Sequence, residues 1–293
     1  MKKYLKLFRV HHYLKNLLLF LPLFFSSNLL NITMLIKVLC GFVIFCLGAS
    51  CIYIFNDIID VEQDRNHPKK KFRPIASGEI QLNKARNILI LNYVIIIIIQ
   101  SLLYYSKIYT YNELLYTSTI LIGYILMNIL YSKWLKNIPI IDVIILALGF
   151  LLRVLYGGAI ISVNISNWLY LTILSISLYM ALGKRKGELN KSDAKSRKVL
   201  QYYTNEFLEK FMYVFITSAI IFYSLWCTMG FTNMEKVTYL VYSVILIIFI
   251  IMRYSLNLEK DSLGDPIDVI YSDKILLISV LIYVVYMGGI IYA

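Results

Sequence analysis

Apolar residues in this chain form long windows that are separated by shorter polar stretches. Because a helix needs about 20 apolar residues to cross a bilayer, windows of that length with few charges predict membrane-spanning helices. Nine such windows occur, at residues 13–30, 35–55, 88–106, 114–131, 140–161, 168–183, 211–230, 237–252 and 275–292. Pro22 interrupts the first window, so we expect a kinked or partly buried segment there.

The composition agrees with this pattern. Hydrophobic residues make up 59% of the 293 residues and charged residues only 16%, and the mean hydropathy is +0.70. These values lie far from those of a soluble domain. We therefore predict an all-α, polytopic membrane protein in which residues 1–293 form a single transmembrane domain, built as a nine-helix bundle.

The Lys and Arg residues predict the orientation of the bundle. With the N-terminus in the cytoplasm, almost all of the 29 basic residues fall on the inner side, whereas Lys107 and Lys236 fall outside, and Lys37 and Arg153 lie within spans. Basic residues concentrate in cytoplasmic loops, so we expect a plasma-membrane protein with a cytoplasmic N-terminus and an external C-terminus. Topology and attraction to anionic lipid account for much of the net charge of +12, and no nucleic-acid partner is needed.

Two long loops, 56–87 and 184–210, lie on the predicted cytoplasmic side, and we expect the function there. The first loop opens with acidic residues. If the second predicted helix continues past residue 55, Asn56, Asp60 and Asp64 share one face and Asp57 lies beside them. Charged residues at a helix end are ordinarily just a solvated terminus. Here, however, four acids occur within eight residues of a chain that has only 17 acids.

Such a group of acids repels itself unless a divalent cation neutralises it. Oxygen ligands at a membrane surface suit magnesium that is held partly by a substrate's phosphates, while the lack of Cys and the single nearby His argue against zinc. Side chains that suit phosphate oxygens follow directly: Arg65, His67, Lys69, Lys70, Lys71 and Arg73. Carboxylates for a metal beside cations for phosphates are what a reaction that releases diphosphate needs.

The second loop has the opposite charge balance. It begins with Lys184-Arg185-Lys186-Gly187-Glu188 and continues with further basic residues. A basic cluster after a span is ordinarily topological charge, and Glu188 could be no more than the helix partner of Lys184. Arg153 is harder to dismiss, because an ionisable residue within a span usually faces a polar cavity or a carboxylate. Asp142 lies on roughly the same face of the fifth predicted helix.

Four segments carry a family resemblance. They are Arg9-Val10-His11-His12-Tyr13-Leu14-Lys15-Asn16; Asp64-Arg65-x-His67-Pro68 with Arg73-Pro74-Ile75-Ala76-x-Gly78; Asp142-Val143 with Gly149-Phe150-x-x-Arg153; and Lys184-Arg185-x-x-Glu188-Leu189. Together with nine predicted helices and Asn56-Asp57-x-x-Asp60-x-x-x-Asp64, they resemble the UbiA superfamily of intramembrane prenyltransferases over nearly the whole chain. The closer resemblance is to its decaprenyl-phosphate phosphoribosyltransferases, because aromatic prenyltransferases carry a second aspartate-rich motif where this chain has basic residues and one Glu.

The resemblance implies an activity and a set of roles. The activity is magnesium-dependent transfer of 5-phosphoribosyl from phosphoribosyl diphosphate to a polyprenyl phosphate, in the synthesis of cell-envelope polysaccharide precursors. Magnesium and diphosphate would be bound by Asn56, Asp57, Asp60 and Asp64. The catalytic set would be Asp57, Asp60, Asp64, Lys184 and Glu188, and the substrates would contact Lys15, Asn16, Arg65, His67, Arg73, Arg153 and Arg185. Within the last set, Lys15 and Asn16 are candidates for the lipid phosphate.

Two alternatives stay open. One is aromatic prenyl transfer, as for quinone or haem precursors. The other is a non-enzymatic transporter or lipid-binding membrane protein, which is disfavoured because the acids cluster at one membrane face and not along a midplane pathway. Self-association into a homo-oligomer also stays open.

Overall fold

The computed structural model describes residues 2–68, 70–190, 198–230, 234–261 and 266–293, and within these ranges all regular secondary structure is helical. The helices of the N-terminal half are α1 (Lys2–Phe8), a 3-10 helix (Val10–Phe20), α2 (Leu21–Phe25), α3 (Ile32–Ile59), α4 (Val61–Arg65), a 3-10 turn (Lys70–Phe72), α5 (Leu82–Tyr105) and α6 (Tyr111–Lys133). A 3-10 turn (Leu135–Asn137), α7 (Ile141–Ile160), α8 (Asn167–Asn190), a 3-10 helix (Lys198–Tyr202), α9 (Asn205–Met229), α10 (Met234–Asp261), α11 (Pro266–Ser272) and α12 (Lys274–Tyr292) follow.

Seven of the described helices are long and apolar enough to cross a membrane: α3, α5, α6, α7, α9, α10 and α12. Each coincides with one of the predicted windows. The predicted window 168–183 lies in α8, where polar side chains such as Thr172, Ser175 and Ser177 lower the hydropathy. The window 13–30 folds as the 3-10 helix followed by α2, and Pro22 lies in the first turn of α2. Proline is favoured there because it lacks the N–H that a first turn leaves unbonded.

The chain separates into two compact units, of which the first comprises Met1–Lys133 and Leu152–Val163. Helix α3 is the centre of this unit and packs against α1, α5, α6 and the 3-10 helix. A Cβ atom on Gly157 would lie 2.1 Å from the carbonyl oxygen of Leu19. Glycine at this position therefore allows the 3-10 helix to lie directly on the backbone of the second half of α7. This close contact positions the N-terminal motif, which includes the 3-10 helix.

The second unit comprises Trp134–Leu151 and Asn164–Ala293. Helix α9 packs against both α8 and α10, and α10 packs against α12. The core of this unit includes Tyr179, Leu182, Leu208 and Met212. Elsewhere on these helices large apolar side chains are exposed, as expected for surfaces that contact lipid.

The junction between α3 and α4 determines how the first acidic residues are displayed. Helix α3 ends at Ile59, but the backbone amide of Asp60 donates to the carbonyl of Asn56 at 2.9 Å, and that of Asp64 donates to the carbonyl of Asp60 at 2.8 Å. The helical hydrogen-bond pattern therefore continues through Asp60. Asn56, Asp60 and Asp64 follow one another at intervals of one turn, as the sequence pattern predicts.

Candidate active site

The first unit contains an ion-paired group that we call the acidic cluster: Asp57, Asp64, Arg9 and Arg73. Arg73 Nη1 lies 3.1 Å from Asp57 Oδ1 and 2.6 Å from Asp64 Oδ2, so one guanidinium joins both carboxylates. Arg9 Nη2 lies 2.5 Å from the same Oδ1 of Asp57. The two carboxylates are buried, whereas the Arg73 side chain is 26% exposed. The cluster therefore holds two buried carboxylates, and the arginine side chains that pair with them are partly exposed.

A small apolar cluster anchors the segment that carries Arg73. Ile75 and Ile80 are buried in a cluster with Leu7 and Ile54, among others. Between them the chain turns back, with the amide of Ile80 bonded to the carbonyl of Pro74 at 2.8 Å. Gly78 has φ +82° in this turn, a left-handed conformation that favours glycine. These features explain why Pro74, Ile75 and Gly78 accompany Arg73 in the sequence motif.

Arg9 has no role in the sequence prediction, although it belongs to the quoted N-terminal motif. Its backbone is left-handed, with φ 50° and ψ 50°, at the start of the 3-10 helix. Its guanidinium lies 4.7 Å from the ring centre of Tyr53, within the range of a cation–π contact. Only the fold brings Arg9 to Asp57, because the two residues are 48 positions apart.

The other polar residues of the first loop differ in their surroundings. Asn56 Oδ1 is buried and has no hydrogen-bond partner among the described residues. Asp60 is half-buried at the end of α3. Arg65 pairs with Glu62 at 2.9 Å on the surface, and His67 Nδ1 accepts a hydrogen bond from the amide of Lys70. Lys69 lies outside the described residues.

A second buried group in the first unit, the Arg153 network, comprises Arg153, Asn16, Tyr124 and Cys46. Arg153 donates from Nε to Asn16 Oδ1 at 2.8 Å and from Nη2 to the Tyr124 hydroxyl at 2.9 Å. Asn16 in turn donates to Cys46 Sγ at 3.1 Å. Asn16 is 1% exposed and Arg153 6% exposed. The predicted substrate residues Asn16 and Arg153 thus bind each other, while Lys15, next in the chain, is half-buried.

The second unit contains the Arg185 network, which comprises Arg185, Asp142, Glu188 and Tyr203. Arg185 Nε lies 2.5 Å from Asp142 Oδ2, and its Nη1 lies 2.6 Å from Glu188 Oε2. Both Arg185 and Asp142 are fully buried, whereas the Glu188 side chain is 26% exposed. Arg185 therefore fixes the position of Glu188, and Lys184 lies half-buried beside it in α8.

Tyr203 links this network to the start of α7. Its hydroxyl donates to Asp142 Oδ1 and accepts a hydrogen bond from the amide of Ile140 at 2.7 Å. Burial, and next the hydrogen bond to the Asp142 carboxylate, raise the pKa of Tyr203 above its ordinary value. Neither Tyr203 nor Tyr124 has a role in the sequence prediction. Residues 191–197 of this loop lie outside the described residues.

Comparison with known proteins places this geometry in a family. The model of the UbiA prenyltransferase family matches residues 18–267. The decaprenyl-phosphate phosphoribosyltransferase of Mycolicibacterium smegmatis is 32% identical over 266 residues, which cover 87% of this chain and 80% of the relative. The enzyme of that name from Corynebacterium glutamicum is 32% identical over 289 residues, or 96% of this chain and 84% of the relative.

A solved structure has the same fold. It is a UbiA homologue from Archaeoglobus fulgidus bound to GPP and Mg2+, and it matches with a TM-score of 0.69 at 17% identity. The match covers 99% of this chain and 100% of the homologue. The predicted resemblance is therefore confirmed: the chain is a multi-pass membrane protein that belongs to the UbiA prenyltransferase family.

Proposed function

We propose that this protein transfers the 5-phosphoribosyl group of phosphoribosyl diphosphate to a polyprenyl phosphate and releases diphosphate. The proposal is carried by the similarity to two decaprenyl-phosphate phosphoribosyltransferases, each 32% identical over most of both chains. Lys184 supports it, because a phosphorylated sugar needs a cation at the position where aromatic prenyltransferases carry a second aspartate-rich motif. In this reaction a lipid phosphate oxygen attacks ribose C1 while the bond from C1 to the diphosphate oxygen breaks.

Magnesium fits the residues of the first loop. The donor set Asn56, Asp57, Asp60 and Asp64 offers oxygen ligands only, which magnesium prefers. The buried Asn56 Oδ1, which lacks a hydrogen-bond partner among the described residues, is suited to such a ligand. Within the described ranges no three His, Cys, Asp or Glu side chains form a metal-binding group, and Asp57 and Asp64 bind arginines. A bound magnesium ion would neutralise charge on the departing diphosphate.

The basic residues then divide into two kinds. Arg65 and Arg73 are partly exposed and would bind diphosphate oxygens, with His67 nearby. Lys184, with Glu188 beside it, would contact the phosphorylated ribose. Arg185 acts in this proposal by holding Glu188, because its guanidinium is fully buried against two carboxylates. A phosphate monoester is already anionic, so the attacking oxygen needs no strong general base.

The lipid phosphate is assigned to Lys15. Asn16 and Arg153 bind each other in the Arg153 network and are buried, so they would position the 3-10 helix that carries Lys15. The position of that helix also depends on Gly157, because the absence of a side chain there allows the backbone of Leu19 to approach α7 closely.

The membrane topology completes the proposal. We propose nine crossings in the plasma membrane, with α8 and the segment of the 3-10 helix and α2 added to the seven apolar helices. Residues 1–293 would form one transmembrane domain, with its active-site loops, its N-terminus and the sugar donor in the cytoplasm.

A membrane-impermeant thiol reagent added outside should then label single cysteines at 107–112 and 231–236 but not at 66–72 or 190–198. External labelling at Asn66 would contradict the orientation. Residues 231–233 also lie outside the described residues.

Activity can be tested with purified protein in proteoliposomes. Labelled phosphoribosyl diphosphate should transfer its label to the lipid fraction only when polyprenyl phosphate and magnesium are both present, and EDTA should abolish transfer. Lys184→Ala should raise the KM for phosphoribosyl diphosphate, while Lys186→Ala, two residues away, serves as the matched control. Turnover with a prenyl diphosphate and an aromatic acceptor, and none with phosphoribosyl diphosphate, would instead assign aromatic prenyl transfer.

A further inference from the structure

The second unit contains a groove of about 720 Å³ between α8, α9 and α10, a volume typical of ligand pockets. It lies on the opposite face of α8 from the Arg185 network. Gly183, Lys186, Gly187 and Asn190 line it and recur at helical spacing, whereas Arg185 and Glu188 point about half a turn away. The groove is therefore separate from the residues that the proposed reaction uses.

The polarity of the groove changes along its length. At one end it is lined by charged and amide side chains from the last turn of α8, the first turns of α9 and the last turns of α10, including Asn190, Asn205 and Glu259. At the other end its walls are apolar, with Ile216, Ile220 and Ile248. From Asn190 to Tyr179 the groove follows α8 for roughly 16 Å. This gradient matches an amphiphile with a polar head at the membrane surface and a chain in the hydrocarbon.

The charges at the polar end select the kind of head group. Lys186 Nζ lies 2.9 Å from Glu209 Oε1, and Glu259 is a second, exposed carboxylate of the lining. One ammonium and two carboxylates complement a head group that carries a phosphate next to a primary ammonium, because the ammonium can donate hydrogen bonds to both carboxylates. A head group with a phosphate alone would face a net negative lining, which argues against the polyprenyl phosphate acceptor here.

We infer that this groove binds one phospholipid of the phosphatidylethanolamine class, with its phosphate at Lys186, its ammonium at Glu209 and Glu259, and one acyl chain against Ile220 and Ile248. The inference does not depend on the proposed transfer reaction. A lipid held between three helices would stabilise the second unit, because binding to the folded state alone raises its stability.

The test uses the full-length protein purified in detergent and depleted of phospholipid. Palmitoyl-oleoyl phosphatidylethanolamine should raise the Tm of the wild type saturably by several degrees, and native mass spectrometry should detect one bound lipid per chain. The same acyl chains on phosphatidylglycerol should give a smaller shift. Ile220→Trp fills the apolar end and should remove the lipid-dependent shift, while Ile221→Trp on the exposed neighbouring position should keep it.

A second pair of variants tests the polar end without filling the groove. Glu259→Lys should weaken phosphatidylethanolamine binding about fivefold and favour phosphatidylglycerol, because it reverses one exposed charge of the lining. Glu206→Lys, an exposed reversal outside the lining, should leave both affinities unchanged. Equal Tm shifts with phosphatidylethanolamine and phosphatidylglycerol in the wild type would overturn the inference. So would equal lipid binding by the two variants of each pair. Loss of a dimer in Ile220→Trp without any lipid dependence would instead assign the groove to a second copy of the chain.

Discussion

The acidic cluster and the Arg185 network use the same groups, Arg and carboxylates, in different ways. In the acidic cluster the carboxylates are buried but the Arg73 side chain is 26% exposed, so a ligand can reach it. In the Arg185 network the guanidinium itself is fully buried and only Glu188 is exposed. Burying a charge requires compensation from its partners, whereas a half-exposed charge can exchange partners with a ligand. We therefore expect substitutions in the acidic cluster to affect activity, and those at the buried members of the Arg185 network, Arg185, Asp142 and Tyr203, to affect stability.

The largest expected effect is on turnover, from the acidic residues of the first loop. Asp60→Asn removes a charge from the proposed magnesium ligands and should reduce turnover on the order of 10³-fold or more. The variant should still insert and elute as a monodisperse protein. Near wild-type turnover at saturating magnesium would remove Asp60 from the site.

The next effect is on stability, from the centre of the Arg185 network. Arg185→Ala leaves the Asp142 carboxylate buried without its cation and should lower the free energy of unfolding by about 3–5 kcal/mol. The control Arg65→Ala breaks an exposed ion pair with Glu62 and should change the free energy of unfolding by at most about 1 kcal/mol. Chemical denaturation in detergent measures both. If Arg185→Ala were as stable as the control, the contrast between the two regions would be wrong.

A smaller effect is expected at the edge of the same network. Tyr203→Phe removes the hydroxyl that donates to Asp142 and should destabilise by about 1.5–3 kcal/mol. Tyr202→Phe, on the exposed neighbouring side chain, should be neutral. Turnover at low temperature should be nearly unchanged in both variants, and a selective loss of turnover in Tyr203→Phe would place Tyr203 in the catalytic machinery.

The raised pKa of Tyr203 predicts how the difference in stability between the wild type and Tyr203→Phe depends on pH. Above about pH 10 the unfolded chain loses the phenolic proton while the folded chain keeps it, so folding takes up a proton and wild-type stability falls as pH rises. Tyr203→Phe lacks this dependence. The difference in unfolding free energy between wild type and Tyr203→Phe should therefore narrow above pH 10. A constant difference from pH 8 to pH 11 would contradict the raised pKa of Tyr203.

The smallest expected effect is on substrate binding at the exposed cation of the acidic cluster. Arg73→Lys keeps the charge but loses the planar guanidinium, and should raise the KM for phosphoribosyl diphosphate about tenfold. Lys71→Ala on the exposed neighbouring turn should leave the KM unchanged. Steady-state kinetics at saturating lipid acceptor separates the two. A large loss of stability in Arg73→Lys with an unchanged KM would make Arg73 a structural residue, like Arg185.

Local patterns made part of this structure predictable. Apolar windows located the long helices, and the four-residue spacing of Asn56, Asp60 and Asp64 anticipated the helical hydrogen bonds through Asp60. Window ends were less well predicted, since α3 extends to Ile59 and α8 to Asn190, because polar residues continue a helix beyond the apolar span. The nine crossings remain a prediction.

Partners distant in sequence could not be predicted. Arg9 meets Asp57 and Tyr203 meets Asp142 only because whole helices pack together, and neither pair has a spacing that a single sequence reveals. The same holds for Arg153, whose partners Asn16 and Tyr124 come from other segments. The sequence shows which basic residues lie beside a membrane span. It does not show whether such a residue is paired with a carboxylate of the protein or can bind a substrate.

The single guanidinium shared by Asp57 and Asp64 has an evolutionary consequence. Arg73 stabilises both carboxylates at once. The loss of stability on replacing Asp57 therefore depends on whether Asp64 has already been replaced, and the reverse also holds. The effects of substitutions at positions 57, 64 and 73 on stability should therefore show strong epistasis. The three positions are energetically coupled, although Asp64 and Arg73 lie nine positions apart in the chain.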